Sequence, residues 1–152
     1  MMQVSNEELA RYDELCKMAC NFARNNEVNQ LLSMIKAGFC VDFKDYRGNT
    51  LLMLATYNGS YECAKMLLEH GAQVDLKNDK GQTPLAGVCF KGNLQMVKLL
   101  VENGANINEN QGLGMTPYSF ALMFAKKDII EYLTKQKPSL FKKLFLKLIK
   151  IF

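Results

Sequence analysis

The chain has 152 residues, of which 49% are hydrophobic and 22% charged, the balance of one packed domain and not of a disordered chain. No run approaches the roughly 18 apolar residues of a membrane span, and the start, Met1-Met2-Gln3-Val4-Ser5-Asn6-Glu7-Glu8, lacks the basic-then-apolar order of an export signal. The net charge of +4 is carried by Lys142, Lys143, Lys147 and Lys150 in an acid-free segment after Pro138, so residues 1–137 are formally neutral and lack the basic patch of a nucleic-acid binder.

Ser5 and Glu8 stand three apart in the capping-box pattern, which predicts a long helix through about Phe22 as the N-terminal cap of the body. Cys16 and Cys20 share one face of it, but two thiolates fall short of the four ligands of a structural zinc site. With Cys40, Cys63 and Cys89 they make an odd set without CxxC spacing, expected to be small buried apolar residues in a reducing, cytoplasmic compartment.

Beyond that helix the sequence repeats. Gly48-Asn49-Thr50-Leu51-Leu52, Gly81-Gln82-Thr83-Pro84-Leu85 and Gly114-Met115-Thr116-Pro117-Tyr118 are spaced by 33 residues, and the same offset carries Gly59 to Gly92 and Gly71-Ala72 to Gly104-Ala105. Stepping back, Gly71 falls on Gly38 and Val74-Asp75 on Val41-Asp42, a less regular first unit. The units run over about 12–44, 45–77, 78–110 and 111–137. Thr50, Thr83 and Thr116 are placed to cap a first helix, with Pro84 and Pro117 at its first position, where no backbone donor is missed. Gly59 and Gly92 permit the turn to a second helix, and Gly71 and Gly104 stop it. The segments around Val74-Asp75-Leu76 and Ile107-Asn108-Glu109 are expected as extended arms of hairpin loops. One such unit is too thin to bury its own apolar face, so stability must come from stacking.

After Lys137-Pro138, Ser139 is placed to cap a helix with Leu140, Phe141, Leu144, Phe145 and Leu148 on one side and lysines on another. Three roles compete for this basic amphipathic C-terminal helix, residues 138–152: a cap over the last repeat, an anchor at a membrane surface, and a peptide that docks on another protein.

The 33-residue unit resembles the ankyrin family over residues 12–136. The resemblance implies an all-α ankyrin-repeat solenoid of about four helix–turn–helix units with hairpin loops, binding a protein partner on its concave face. The family usually has a histidine after Thr-Pro-Leu; here Met53, Ala86 and Ser119 stand there, so a local side-chain tie is expected to be lost in every repeat, with less rigid loops. The family's binding positions, the ends of the first helices and the hairpin tips, fall on Arg24, Tyr57, Phe90 and Met123, next to Asn25, Asn58, Lys91 and Phe124, and on Tyr46, Arg47, Lys80 and Leu113. Tyr, Phe and Met three times running at a position that faces solvent in the family is the mark of a binding patch; the competing reading tucks them under neighbouring helices. His70 precedes Gly71 as often in the family, where the ring helps satisfy terminal carbonyls.

The wording of Met53-Leu54-Ala55-Thr56-Tyr57-Asn58, Thr83–Gly92 and Gly112–Pro117 is similar to the small bacterial ankyrin proteins associated with haem catalases. This resemblance implies an accessory role, with haem as cargo and no required cofactor. Tyr57 is then the candidate axial ligand, Phe90 and Met123 would cover the porphyrin, and Arg24, Arg47 or Lys91 would meet its propionates. No nucleophile elbow, phosphate loop or metal-ligand cluster points to an enzyme. The alternative is an ankyrin scaffold for another protein, peripheral at the inner membrane surface through residues 138–152.

Overall fold

A computed structural model describes residues 3–136; the C-terminal segment 138–152 lies outside them. The described residues form eight helices: α1 (Asn6–Asn25), α2 (Val28–Lys36), α3 (Leu51–Tyr57), α4 (Tyr61–Glu69), α5 (Pro84–Lys91), α6 (Leu94–Glu102), α7 (Pro117–Met123) and α8 (Lys127–Gln136). They pair as α1–α2, α3–α4, α5–α6 and α7–α8, and the stack grows by α1 packing on α3, α3 on α5 and α5 on α7. The result is an all-helical solenoid with an inner row of first helices and an outer row of second helices.

The three threonines start the inner helices as expected. Thr50 accepts from the Met53 amide at 3.1 Å, Thr83 from Ala86 at 3.4 Å and Thr116 from Ser119 at 3.2 Å, each such cap stabilising its helix by about 1 kcal/mol. Pro84 and Pro117 occupy the first turn. Between the paired helices the chain turns left-handed at one position of every unit: Asn26 (φ 59°), Gly59 (75°), Gly92 (87°) and Ala125 (51°). Leu31, Leu52, Leu67, Leu85, Leu100 and Leu133 are among the fully buried side chains that join the two rows.

Four expectations need correction. Helix α1 runs to Asn25, past Phe22, because Asn26 adopts the left-handed conformation and donates its amide back to the Phe22 carbonyl, a conformation asparagine tolerates well. Val74–Asp75 and Ile107–Asn108 lie in turns and form no extended arms; an isolated bridge, Lys44 to Thr50, is the sheet pairing found among the described residues. These corners bond to side chains of the preceding repeat: Asp42 accepts from the Gln73 amide at 3.0 Å, and Asp75 from the Asn106 amide at 2.9 Å. Cys20, Cys63 and Cys89 are buried, but Cys40 is exposed and Cys16 partly so.

The fourth correction concerns the loops. In the last unit Ser119 keeps a local tie, its hydroxyl accepting from the Thr116 amide at 3.3 Å. Elsewhere other residues hold the loops. Asp45 accepts from the Arg47 and Asn49 amides, both at 2.9 Å, and Asn78 from Lys80 and Gln82, both at 3.0 Å. Lys44 donates to the Lys77 carbonyl and Lys77 to the Asn110 carbonyl, each at 2.9 Å, so each loop is stitched to the next. Gly48 shows how close they come: a Cβ there would lie 2.8 Å from the Asp79 amide nitrogen.

Candidate interaction groove

The loops project from the N-terminal ends of the inner helices, and the angle between loops and helices is a concave surface. A cleft of about 820 Å³ lies between the second and third units. Six of the sequence-predicted residues line it: Arg24, Tyr46, Arg47, Tyr57, Asn58 and Lys80. Tyr57 ends α3 and is 44% exposed. Its hydroxyl has no hydrogen-bond partner among the described residues, and the Lys91 ammonium sits 4.7 Å from its ring centroid. The floor beside the ring is Gly87, where a Cβ would lie 3.4 Å from Tyr57 Cδ2.

The remaining predicted residues divide. Phe90 and Phe124 meet edge to face with centroids 4.6 Å apart, and Met123 stands beside them, 60% exposed; they form an apolar patch further along the inner row. Neither Phe90 nor Met123 is among the residues that line the Tyr57 cleft. Lys91 lines a second recess of about 530 Å³, which shares Tyr57 and Asn58 with the cleft. Leu113 stands apart at the fourth loop tip, wholly exposed and left-handed with φ 52°.

Electrostatics separates free cations from engaged ones. Arg24 is committed: its guanidinium donates to Asn21 at 3.1 Å and lies 3.7 Å from Asp45, whose side chain is only 7% exposed. Arg47 lies 5.1 Å from the Tyr46 ring centroid. Among the described residues Arg47, Lys80 and Lys91 make no ion pair, so the rim of the groove presents cations to a ligand.

A family model described as ankyrin repeats (3 copies) matches residues 10–78 and 72–143. The chain belongs to the ankyrin-repeat family. Within it, a 52-residue stretch is 46% identical to BRCA1-associated RING domain protein 1 of Caenorhabditis elegans, covering 34% of this chain and 7% of that protein; the chain thus spans a small fraction of the length of this relative. Ankyrin repeats are protein-interaction modules, and their curvature supplies the extended concave surface used for binding.

Asp45, Asn78 and Gln111, one ankyrin repeat apart, were not singled out by sequence reasoning, yet they build the loops that carry the tips. The 33-residue offset connects all three to the Gly-x-Thr landmark and could have found them. Gln111 departs from the local pattern, since its side chain reaches back to accept from the Thr83 amide of the preceding repeat at 2.6 Å. His70 takes the helix-end role: Nδ1 is 2.8 Å from the Met66 carbonyl at the end of α4. Among the described residues there is no cluster of three or more His, Cys, Asp or Glu side chains able to hold a metal ion, and no helix is long and apolar enough to cross a membrane.

Proposed function

We propose that this ankyrin-repeat protein is a non-catalytic module that holds a protein client on its concave face, and that the client is a haem catalase to which it brings haem. The observation that carries the binding reading is the row of exposed aromatic residues along the inner helices, Tyr57, Phe90 and Phe124, flanked by unpaired cations. Isolated exposed apolar side chains are commonplace, but exposed aromatic residues at the ends of successive inner helices, two of them in contact, mark an interaction site.

The choice of client rests on the similarity of wording to catalase-associated ankyrin proteins, and the cleft is compatible with the cargo. Its volume lies in the range of small-molecule sites, about 300–1,000 Å³. Tyr57 offers an unpartnered phenolic oxygen, the kind of group that ligates ferric haem. Arg47, in the cleft lining, and Lys91, over the Tyr57 ring, would meet carboxylates by charge-assisted bonds, whereas Arg24 is held by Asp45 and contributes less. Haem in this cleft would be cargo, held by its iron and propionates for transfer.

Ferric haem titrated into the purified protein should give a saturable one-to-one absorbance change that is lost in Tyr57→Phe. Absence of saturable binding to the unaltered protein would remove the cargo and leave a protein-only interaction module, whose client would then be sought by co-purification with a catalase.

A further inference from the structure

The repeat makes each position of the last unit comparable with the same position in units that have a neighbour. Leu122, on α7, is 52% exposed, while its equivalents Cys89 and Thr56 are 0% and 2% exposed. Ile130, on α8, is only partly buried, while Val97 and Ala64 are at 0%. Ser119 is likewise half-buried where Ala86 is at 1%. In the second and third units the inner helices have the next inner helix packed on them, α5 on α3 and α7 on α5, and α8 packs on α6. The last unit therefore ends in a flank built to be covered.

We infer that this flank, around Leu122 and Ile130, is the docking site of residues 138–152 of the same chain. Helix α8 ends at Gln136, and in the preceding unit the chain leaves the equivalent end, after Glu102, to supply the next layer of the stack. The 15 residues that follow Lys137 are long enough: as a helix they would span about 22 Å at 1.5 Å per residue, more than α7 or α8 requires. Their apolar residues Leu140, Phe141, Leu144, Phe145 and Leu148 recur at helical spacing, which allows one side to meet Leu122 and Ile130 while the four lysines stay in water. The segment of another copy has the same chemistry, but a short tether gives the chain's own segment an effective concentration in the millimolar range. The segment thereby acts as the polar-faced terminal cap that a repeat stack requires.

The test uses the full chain carrying Leu122→Cys, a change at an exposed position, with alkylation by N-ethylmaleimide followed peptide by peptide and helicity checked by circular dichroism. Exposed Cys40 and buried Cys89 are the internal references. The introduced thiol should label about tenfold more slowly than Cys40, and the further pair Leu144→Asp and Leu148→Asp should bring it within about threefold of Cys40 while Cys89 stays protected. Labelling as fast as Cys40 with the native segment would overturn the inference. Protection that grows with protein concentration would also overturn it, assigning the flank to a second copy. So would free labelling of the thiol in a protein that sediments with vesicles of anionic phospholipid, which would assign the segment to a lipid surface.

Discussion

Tyr57, Phe90 and Met123 share one repeat position, and the sequence reads them alike, but their surroundings make them different. Tyr57 has a cation over its ring and a glycine beside it, whereas Phe90 has an aromatic partner from the next unit. Nothing in three single letters separates these environments, since each is made by a residue about 30 positions away. The cysteines show the same limit, because their composition announces small apolar residues and their burial divides them. Desolvation pushes the Cys89 thiol up to about 12, and desolvation with the nearby Glu27 pushes Cys63 up to about 11. Since the thiolate is the reactive form, Cys40 should alkylate first in the native protein, and Cys63 and Cys89 only on unfolding, as read by mass spectrometry across a urea series. Rapid native labelling of Cys89 would contradict the burial described for it.

At the scale of the element, the helix starts were legible and one kind of helix end was not. A threonine followed by proline announces a cap because both residues act on their own neighbours, and Thr83-Pro84 and Thr116-Pro117 do so here. The left-handed turn was legible where glycine occupies it, at Gly59 and Gly92, and hidden where Asn26 and Ala125 do. Alanine pays a steric cost in that conformation, so Ala125→Gly should stabilise the protein by about 1 kcal/mol despite glycine's larger unfolded-state entropy, seen as a raised midpoint in urea. Helix α1 offers a pH test. The Ser5 amide, and next its hydroxyl, hold the Glu8 carboxyl below its ordinary value. Its contribution is therefore complete above the ordinary carboxylate value and is lost as the pH falls through the lowered one. The protection of the first-turn amides of α1, measured against their intrinsic exchange rates, should fall through that window in the native protein, and in Glu8→Gln it should show no such step.

At the scale of the whole molecule, stability is shared between neighbours, because the loops and corners of one unit are bonded by side chains of the units on either side. Gln111 illustrates this most sharply: it is 6% exposed and satisfies the buried Thr83 amide across the repeat boundary. Leaving that donor unpaired should cost about 1–3 kcal/mol, so Gln111→Ala should lower the urea midpoint by far more than Lys80→Ala at an exposed tip. An equal effect of the two substitutions would show that the inter-repeat bond carries no load.

The sequence by itself determined the period, the starts of the inner helices and the number of units, because each follows from local chemistry repeated at a fixed interval. It also supplied the family, which the match over most of the chain shows. Only the tertiary structure decided which of the sequence-predicted positions gather in one cleft, which cations are already paired, and which apolar side chains of the last unit lack the cover their equivalents have. These depend on side chains brought together across repeat boundaries, and the periodic pattern that makes the fold legible treats every unit as though it had the same neighbours.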